Sequence, residues 1–161
     1  MDNALVFLVL LIAVSSYAGL CGGAPERIGA AIIFLGSILT YAVPSSSATD
    51  YLSVEFGIFL IDLACLAAFL ILALFAERFW PLWLTALQII GVAGHAVKGA
   101  DPDTIRRAYA FVLAFWSYPM LFLIALGTWR HRQRLARNGV DPSWSSFSTR
   151  SGPEPPAGPT A

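Results

Sequence analysis

Two residues that could exchange a proton lie inside apolar stretches of this sequence. Asp62 interrupts the long apolar run of residues 54–76, and His95 lies in the following run, residues 80–97. In a membrane interior a carboxylate is costly unless it is paired, protonated or in contact with water. Because an Asp and a His in a low-dielectric setting can share a proton near neutral pH, this pair is the first candidate for chemistry.

The same two residues are predicted to lie at equal depth. The turn between their runs is very short, so the two runs form antiparallel neighbours. Asp62 and His95 are each about 15 residues from that turn, hence roughly 22 Å at a rise of about 1.5 Å per residue. The next turn, near residue 101, brings His95 beside Arg106 or Arg107. A cluster of an Asp, a His and an Arg is therefore expected in the outer third of a bilayer.

Gln88 lies two helical turns below His95 on the same face. It could extend a polar line through the helices, but we expect it to bond a neighbouring helix. The cluster itself has two interpretations: a proton-responsive or anion-binding site, or a polar clamp that holds two helices in register. Because His95 lies near a helix end, where interfacial polar groups are common, we expect the clamp.

The composition predicts that lipid covers these elements. Hydrophobic residues make up 57% of the 161 residues and charged residues 12%, which leaves too little polar surface for a soluble globule. The length allows one bundle without a separate catalytic domain. A formal net charge of zero gives no reason to expect nucleic acid as a partner, so the expected partner is the lipid bilayer.

Five apolar runs predict an all-α, polytopic transmembrane bundle within residues 1–137. The predicted spans cover residues 4–20, 26–43, 54–76, 80–97 and 105–129. Pro25 and Glu26 suit the first positions of the second helix, where a missing amide costs nothing and an acid meets the positive helix end. Residues 138–161 are rich in Ser, Pro and Gly and are predicted to be a disordered cytoplasmic tail.

The distribution of Lys and Arg predicts the orientation. With the N-terminus outside, the inner side holds Arg27, Arg78 and the four arginines between residues 130 and 137, and the outer side holds fewer basic residues. The first run lacks the positive start of a signal peptide, so we expect it to stay uncleaved. Trp80, Trp83 and Trp129 are expected at the inner boundary.

Recognisable catalytic motifs are absent from the sequence. It contains no HExxH, GxSxG or CxxC motif and no phosphate-binding glycine loop, and Cys21 and Cys65 suggest neither a disulfide nor a metal site. We therefore expect no cofactor and favour a non-enzymatic protein. Gly29 and Gly36, a heptad apart, form a small-residue face that lets another helix approach closely.

Three functions remain open at this level. An accessory or interaction protein of the membrane is favoured, which would bind a membrane-protein partner or a second copy of itself. The alternative is a minimal transporter of protons or small solutes that uses Asp62, His95 and Gln88. An enzyme acting on a lipid or a quinone would need the same cluster to open onto a cleft.

Several stretches together resemble a group of small, uncharacterised membrane proteins of alphaproteobacteria such as the sphingomonads. They are GGAPERIGA, FWPLWLTALQIIGVAGHAVKGADPD, RRAYAFVLAFWSYPMLFLIALGTWRHR and GVDPSW, and they cover most of the chain. The resemblance implies a location in the bacterial inner membrane. It carries over no catalytic residue.

Overall fold

The described part of the chain contains five helices. The computed structural model describes the backbone of residues 3–42, 51–100 and 106–145, and the side chains of residues 4–42, 56–95 and 117–145. The helices are α1 (Asn3–Cys21), α2 (Ala24–Ala42), α3 (Tyr51–Phe75), α4 (Trp80–Ala100) and α5 (Arg106–Asn138). The described residues contain no strand beyond one isolated bridge, so the predicted all-α fold is confirmed.

The helices form a closed ring. Each helix packs against the next one along the chain, α5 returns to pack against α1, and α2 also contacts α5. The closest pair is α3 and α4, as expected from the short connection between them. This arrangement turns one face of every helix toward a shared interior.

Trp80 is the central side chain of the core. A Cβ atom on Gly29 of α2 would lie 2.8 Å from the Trp80 ring, and a Cβ on Gly127 of α5 would lie 2.8 Å from its Nε1. Two glycines therefore let α2 and α5 close on the indole from different directions. Trp80 is buried, with 8% of its surface exposed, and its predicted position at the inner membrane boundary stays a prediction.

Helix α5 extends beyond the predicted span that ended at residue 129. It continues through the basic stretch to Asn138 and ends at Gly139, whose φ of 72° is the left-handed conformation that glycine adopts most easily. The amide of Gly139 donates to the carbonyl of Leu135 at 3.0 Å. The chain then reverses toward the end of α3.

The segment after α5 is ordered where the sequence suggested disorder from residue 138 onward. The amide of Ser145 donates to the carbonyl of Phe75 at 3.0 Å, the amide of Glu77 donates to the carbonyl of Ser143 at 3.3 Å, and Ala76 and Trp144 form an antiparallel bridge. Residues 139–145, here named the strap, therefore attach to the α3–α4 turn. The rest of the predicted tail, residues 146–161, lies outside the described residues.

Two stretches in the described part of the chain are long and apolar enough to cross a membrane. They are Ala4–Cys21 in α1 and Phe56–Phe75 in α3, with mean hydropathies of 2.4 and 2.8. A core helix of a soluble protein has a similar composition, but only 11% of each stretch is buried here. A signal sequence also has this composition, and Ala4–Cys21 lies near the N-terminus. These stretches support a membrane protein, whereas spans by α2, α4 and α5 remain predictions.

Candidate functional site

Asp62 on α3 is held by two side chains of α4. Nε2 of Gln88 donates to Oδ1 of Asp62 at 3.2 Å and also to its main-chain carbonyl at 3.2 Å. Nε2 of His95 lies 2.8 Å from Oδ2 of the same carboxylate. Gln88 and His95 can both reach Asp62 because seven residues correspond to about two helical turns and bring them to one face. Three of the predicted cluster residues are thus brought together.

The three residues differ in exposure. The side chains of His95 and Asp62 are 7% and 25% exposed, and Gln88 is buried. The ring of Phe59 meets the imidazole of His95 edge to face, with centroids 5.8 Å apart. His95 is therefore fixed by neighbours, while the carboxylate of Asp62 keeps a partly open side.

Asp62 lines a cavity in the middle of the ring, here named the central cavity. Its volume is about 420 Å³, and all five helices contribute to its wall. Apolar side chains such as Phe7, Ile33 and Phe69 form most of the lining. Six lining residues carry a polar side chain, namely Ser37, Thr40, Tyr41, Asp62, Gln88 and Ser117. An apolar cavity with a few convergent polar groups is the usual form of a small-molecule site.

The side chain of the predicted arginine partner is not among those that the structure describes. Arg106 begins α5 and Arg107 follows it, but their side chains lie outside the described residues. The described site therefore consists of Asp62, Gln88, His95 and the cavity wall.

A second polar cluster, which was not predicted from the sequence, lies at the other end of the bundle. Here named the basal network, it consists of Glu26, Arg78, Trp80, His131, Arg134 and Asp141. These residues come from the start of α2, the α3–α4 turn, the start of α4, the basic end of α5 and the strap. The network thus joins elements that are far apart in the chain.

Asp141 is the anionic centre of the basal network. Its Oδ2 lies 2.7 Å from Nη2 of Arg78 and 2.6 Å from Nδ1 of His131, and its Oδ1 accepts from Nε of Arg134 at 2.9 Å. Burial of the carboxyl favours its neutral form and by itself raises its pKa. The hydrogen bonds from His131 and Arg134 and the charges of Arg78 and Arg134 outweigh burial, so the pKa of Asp141 lies below its ordinary value.

Glu26 is the second carboxylate of the network and is fully buried. The indole Nε1 of Trp80 donates to its Oε1 at 3.2 Å, and Nε of Arg78 lies 3.5 Å from the same oxygen. Within the described residues, Oε2 of Glu26 has no hydrogen-bond partner. Two carboxylates and two guanidinium groups balance in charge, which is what a structural cross-link in a buried setting requires.

One sequence signal could have revealed the basal network. Gly139 follows the last basic turn of α5 and is a strong helix-ending residue, and Asp141 comes two positions later. A chain that reverses there must bring Asp141 back toward the arginines of the same helix. The bond of Trp80 with Glu26 joins residues that are 54 positions apart, and the bond of Arg78 with Asp141 joins residues that are 63 positions apart. No local sequence pattern encodes such contacts.

Neither cluster has the donor set of a metal centre. In the described ranges, no group of three or more His, Cys, Asp or Glu side chains could hold a metal ion. Cys21 and Cys65 are both free thiols.

No protein family, curated protein or solved structure matches this chain. A function must therefore be argued from the geometry and chemistry of its own residues.

Proposed function

We propose that this chain is a five-span protein of the bacterial inner membrane, with its N-terminus outside and the basal network at the cytoplasmic face. Large apolar side chains are exposed on every helix, for example Leu8, Leu35, Leu74, Trp83 and Phe122. A soluble monomer rarely leaves so much apolar surface uncovered. The basic residues near the basal network, including Arg27 and Arg130, support a cytoplasmic location for that end.

Within that topology, we propose a minimal transporter that binds a proton or a small solute at Asp62. The observation that carries this proposal is the central cavity, since an acidic side chain that lines a cavity between membrane helices is typical of ion and substrate pathways. The neighbours of Asp62 suit this role because Gln88 and His95 hold the carboxylate in place while part of it faces the cavity. A polar clamp alone would not need a cavity of about 420 Å³ beside it.

The small-residue face of α2 gives less support to an interaction protein than its sequence suggested. Gly29 packs on Trp80, and a Cβ on Gly36 would lie 2.7 Å from Sγ of Cys65. Both glycines are thus used inside the chain and are not free for another helix. For this reason we favour a transporter over an accessory protein.

Open space beside two glycines supports the accessory role. A Cβ added to Gly19 on α1 or to Gly91 on α4 would meet no atom within 4 Å. These two positions leave room for a partner helix or a second copy of the chain. An accessory protein that binds through them is the second candidate function.

Proton flux into vesicles tests the transporter. The purified protein would be reconstituted in liposomes that contain a pH-sensitive dye, and a potassium diffusion potential would drive proton uptake. We expect wild-type vesicles to acidify faster than empty vesicles and Asp62→Asn vesicles to behave like empty ones. Glu77→Gln removes an equal charge from an exposed position and should retain wild-type flux. Equal rates for wild type, Asp62→Asn and empty vesicles would reject a proton pathway.

Topology needs a separate experiment. A reporter that is active only in the cytoplasm should work when it is fused to the C-terminus and fail at Asp2. The reverse pattern would reject the proposed orientation.

A further inference from the structure

The wall between the central cavity and the lipid-facing surface is thin at one point. A groove on the outside of α2 and α3, here named the outer groove, has a volume of about 330 Å³ and an apolar lining that includes Leu35, Leu39 and Leu60. The outer groove and the central cavity share two lining residues, Gly36 and Cys65. One glycine and one thiol therefore separate the two spaces.

Gly36 and Cys65 approach each other closely because neither carries a large side chain. A Cβ on Gly36 would lie 2.7 Å from Sγ of Cys65, so even a methyl group at residue 36 would force a shift. No larger side chain from either position fills the boundary. A modest separation of α2 from α3, or a rotation of the Cys65 side chain, would connect the outer groove to the central cavity.

The boundary lies at the depth of lipid chains in the proposed topology. Gly36 is 12 positions from Ala24, the first residue of α2, which corresponds to roughly 18 Å along the helix. This distance is about half of a hydrocarbon core of roughly 30 Å. The outer groove is also open to its surroundings, since Leu35 and Leu39 are 58% and 53% exposed. A molecule that passes between Gly36 and Cys65 must therefore already be dissolved in the lipid.

The carboxylate of Asp62 determines the polar part of such a molecule. Each of its oxygens has one described side-chain partner, Gln88 or His95, and an ionised carboxylate has room for about four hydrogen bonds. The matching ligand group is a hydrogen-bond donor with a positive charge, such as a protonated amine. The part of the wall that is formed by Phe7, Ile33 and Phe69 fits an apolar body.

We propose that the ligand of the central cavity is a lipophilic amine that reaches Asp62 from the bilayer, between α2 and α3, through the boundary formed by Gly36 and Cys65. This inference rests on the proposed function and adds to it a ligand class and a route. The ammonium group pairs with Asp62, and the apolar body replaces lipid contacts with contacts to the cavity wall. The transported proton and the amine then compete for one carboxylate.

Ligand binding can be measured with dansylcadaverine, which joins a primary amine to an environment-sensitive fluorophore. With the protein in lipid nanodiscs, we expect saturable binding that Asp62→Asn weakens at least about tenfold, because a charge-assisted hydrogen bond is lost. Glu77→Gln should bind like wild type. Dansylamide, which lacks the amine, and cadaverine, which lacks the apolar body, should both compete poorly. Equal binding to wild type and Asp62→Asn, or strong competition by cadaverine, would overturn the ligand class.

The route is tested by the rate of binding at variants of the boundary. Cys65→Ala removes the thiol and should speed association with little change in affinity, whereas Cys65→Met should slow it. At a fixed amount of dye, the association rate should follow the concentration of dye in the lipid rather than in water. Rates that follow the aqueous concentration and ignore residue 65 would overturn the lateral route.

These outcomes separate the inference from the proposed function. Proton flux that depends on Asp62, without binding of dansylcadaverine, would leave the transporter in place and reject the amine. Binding that depends on Asp62, without proton flux, would retain the ligand class and reject proton transport. Each variant should first elute as a single species with wild-type helix content, so that a folding defect is not taken for a loss of binding.

Discussion

Oδ2 of Asp62 on α3 and Nε2 of His95 on α4 lie 2.8 Å apart. The α3–α4 turn makes this approach possible, because the two residues lie at nearly equal distances from it along antiparallel helices. Gln88 binds the other oxygen of the same carboxylate. The carboxylate of Asp62 therefore contacts two polar side chains of α4.

Replacement of Asp62 by Leu should destabilise the pairing of α3 and α4. Leu removes Oδ1, one of the two acceptors of the buried Gln88 side chain, and also the oxygen that lies 2.8 Å from Nε2 of His95; each lost hydrogen bond costs about 0.5–1.5 kcal/mol. Asp62→Asn keeps an oxygen that can accept from Gln88 and should change stability much less. Unfolding in mixed micelles by SDS, followed by circular dichroism, would measure the difference. Equal stability of the two variants would mean that these hydrogen bonds do not hold the helices together.

Loss of the Asp141 charge should release the strap. Asp141→Asn removes the anion that pairs with Arg78 and Arg134, while the hydrogen bonds of Ser143 and Ser145 to the end of α3 and the α3–α4 turn remain. Limited digestion with chymotrypsin should then cleave after Trp144 of the strap several times faster than in wild type. Glu77→Gln lies beside the strap, has an exposed side chain and serves as the matched control. Unchanged cleavage in Asp141→Asn would show that the hydrogen bonds of Ser143 and Ser145 suffice.

The contribution of Asp141 to stability should disappear only in acid. Its pKa in the folded protein lies below the unfolded value of about 3.9, so the ionised carboxylate stabilises the folded state fully above that value. This stabilisation decreases as the pH falls through the folded-state pKa. The difference in unfolding free energy between wild type and Asp141→Asn should therefore stay constant from about pH 8 to about pH 5 and shrink at lower pH. A difference that vanishes already between about pH 7 and pH 6 would contradict the assignment of this stabilisation to the ionised carboxylate of Asp141.

The contacts that could be predicted from the sequence are those between helices that follow each other directly in the chain. The depth match of Asp62 and His95 follows from one short turn, and the bond of Gln88 to a neighbouring helix follows from its spacing to His95. The burial of Glu26 could not be predicted in this way. A helix-starting acid is satisfied by the helix end alone, so nothing in its local sequence predicts that it is fully buried against Trp80.

The attachment of the strap also could not be predicted from its local sequence. A segment rich in Ser, Pro and Gly has few apolar residues to bury and is commonly disordered. Here two main-chain bonds and the carboxylate of Asp141 attach it to the end of α3, the α3–α4 turn and α5. Because that surface exists only after the helices have packed, composition cannot reveal it.

Alanine substitutions of two glycines should show how strongly the fold depends on Trp80. Gly127→Ala places a methyl group 2.8 Å from Nε1 of Trp80, which must move the buried indole and strain its hydrogen bond to Glu26. We expect a loss of about 1–3 kcal/mol in the free energy of unfolding, as for other overpacked cores. Gly91→Ala is the matched control on an open helix surface, where Ala should stabilise by up to about 1 kcal/mol through its higher helix propensity. SDS unfolding would measure both variants, with the fluorescence of Trp80 isolated by replacing the other tryptophans with Phe. If Gly127→Ala were as stable as Gly91→Ala, α5 would have room to shift away from Trp80, and the close packing of the indole between α2 and α5 would not limit stability.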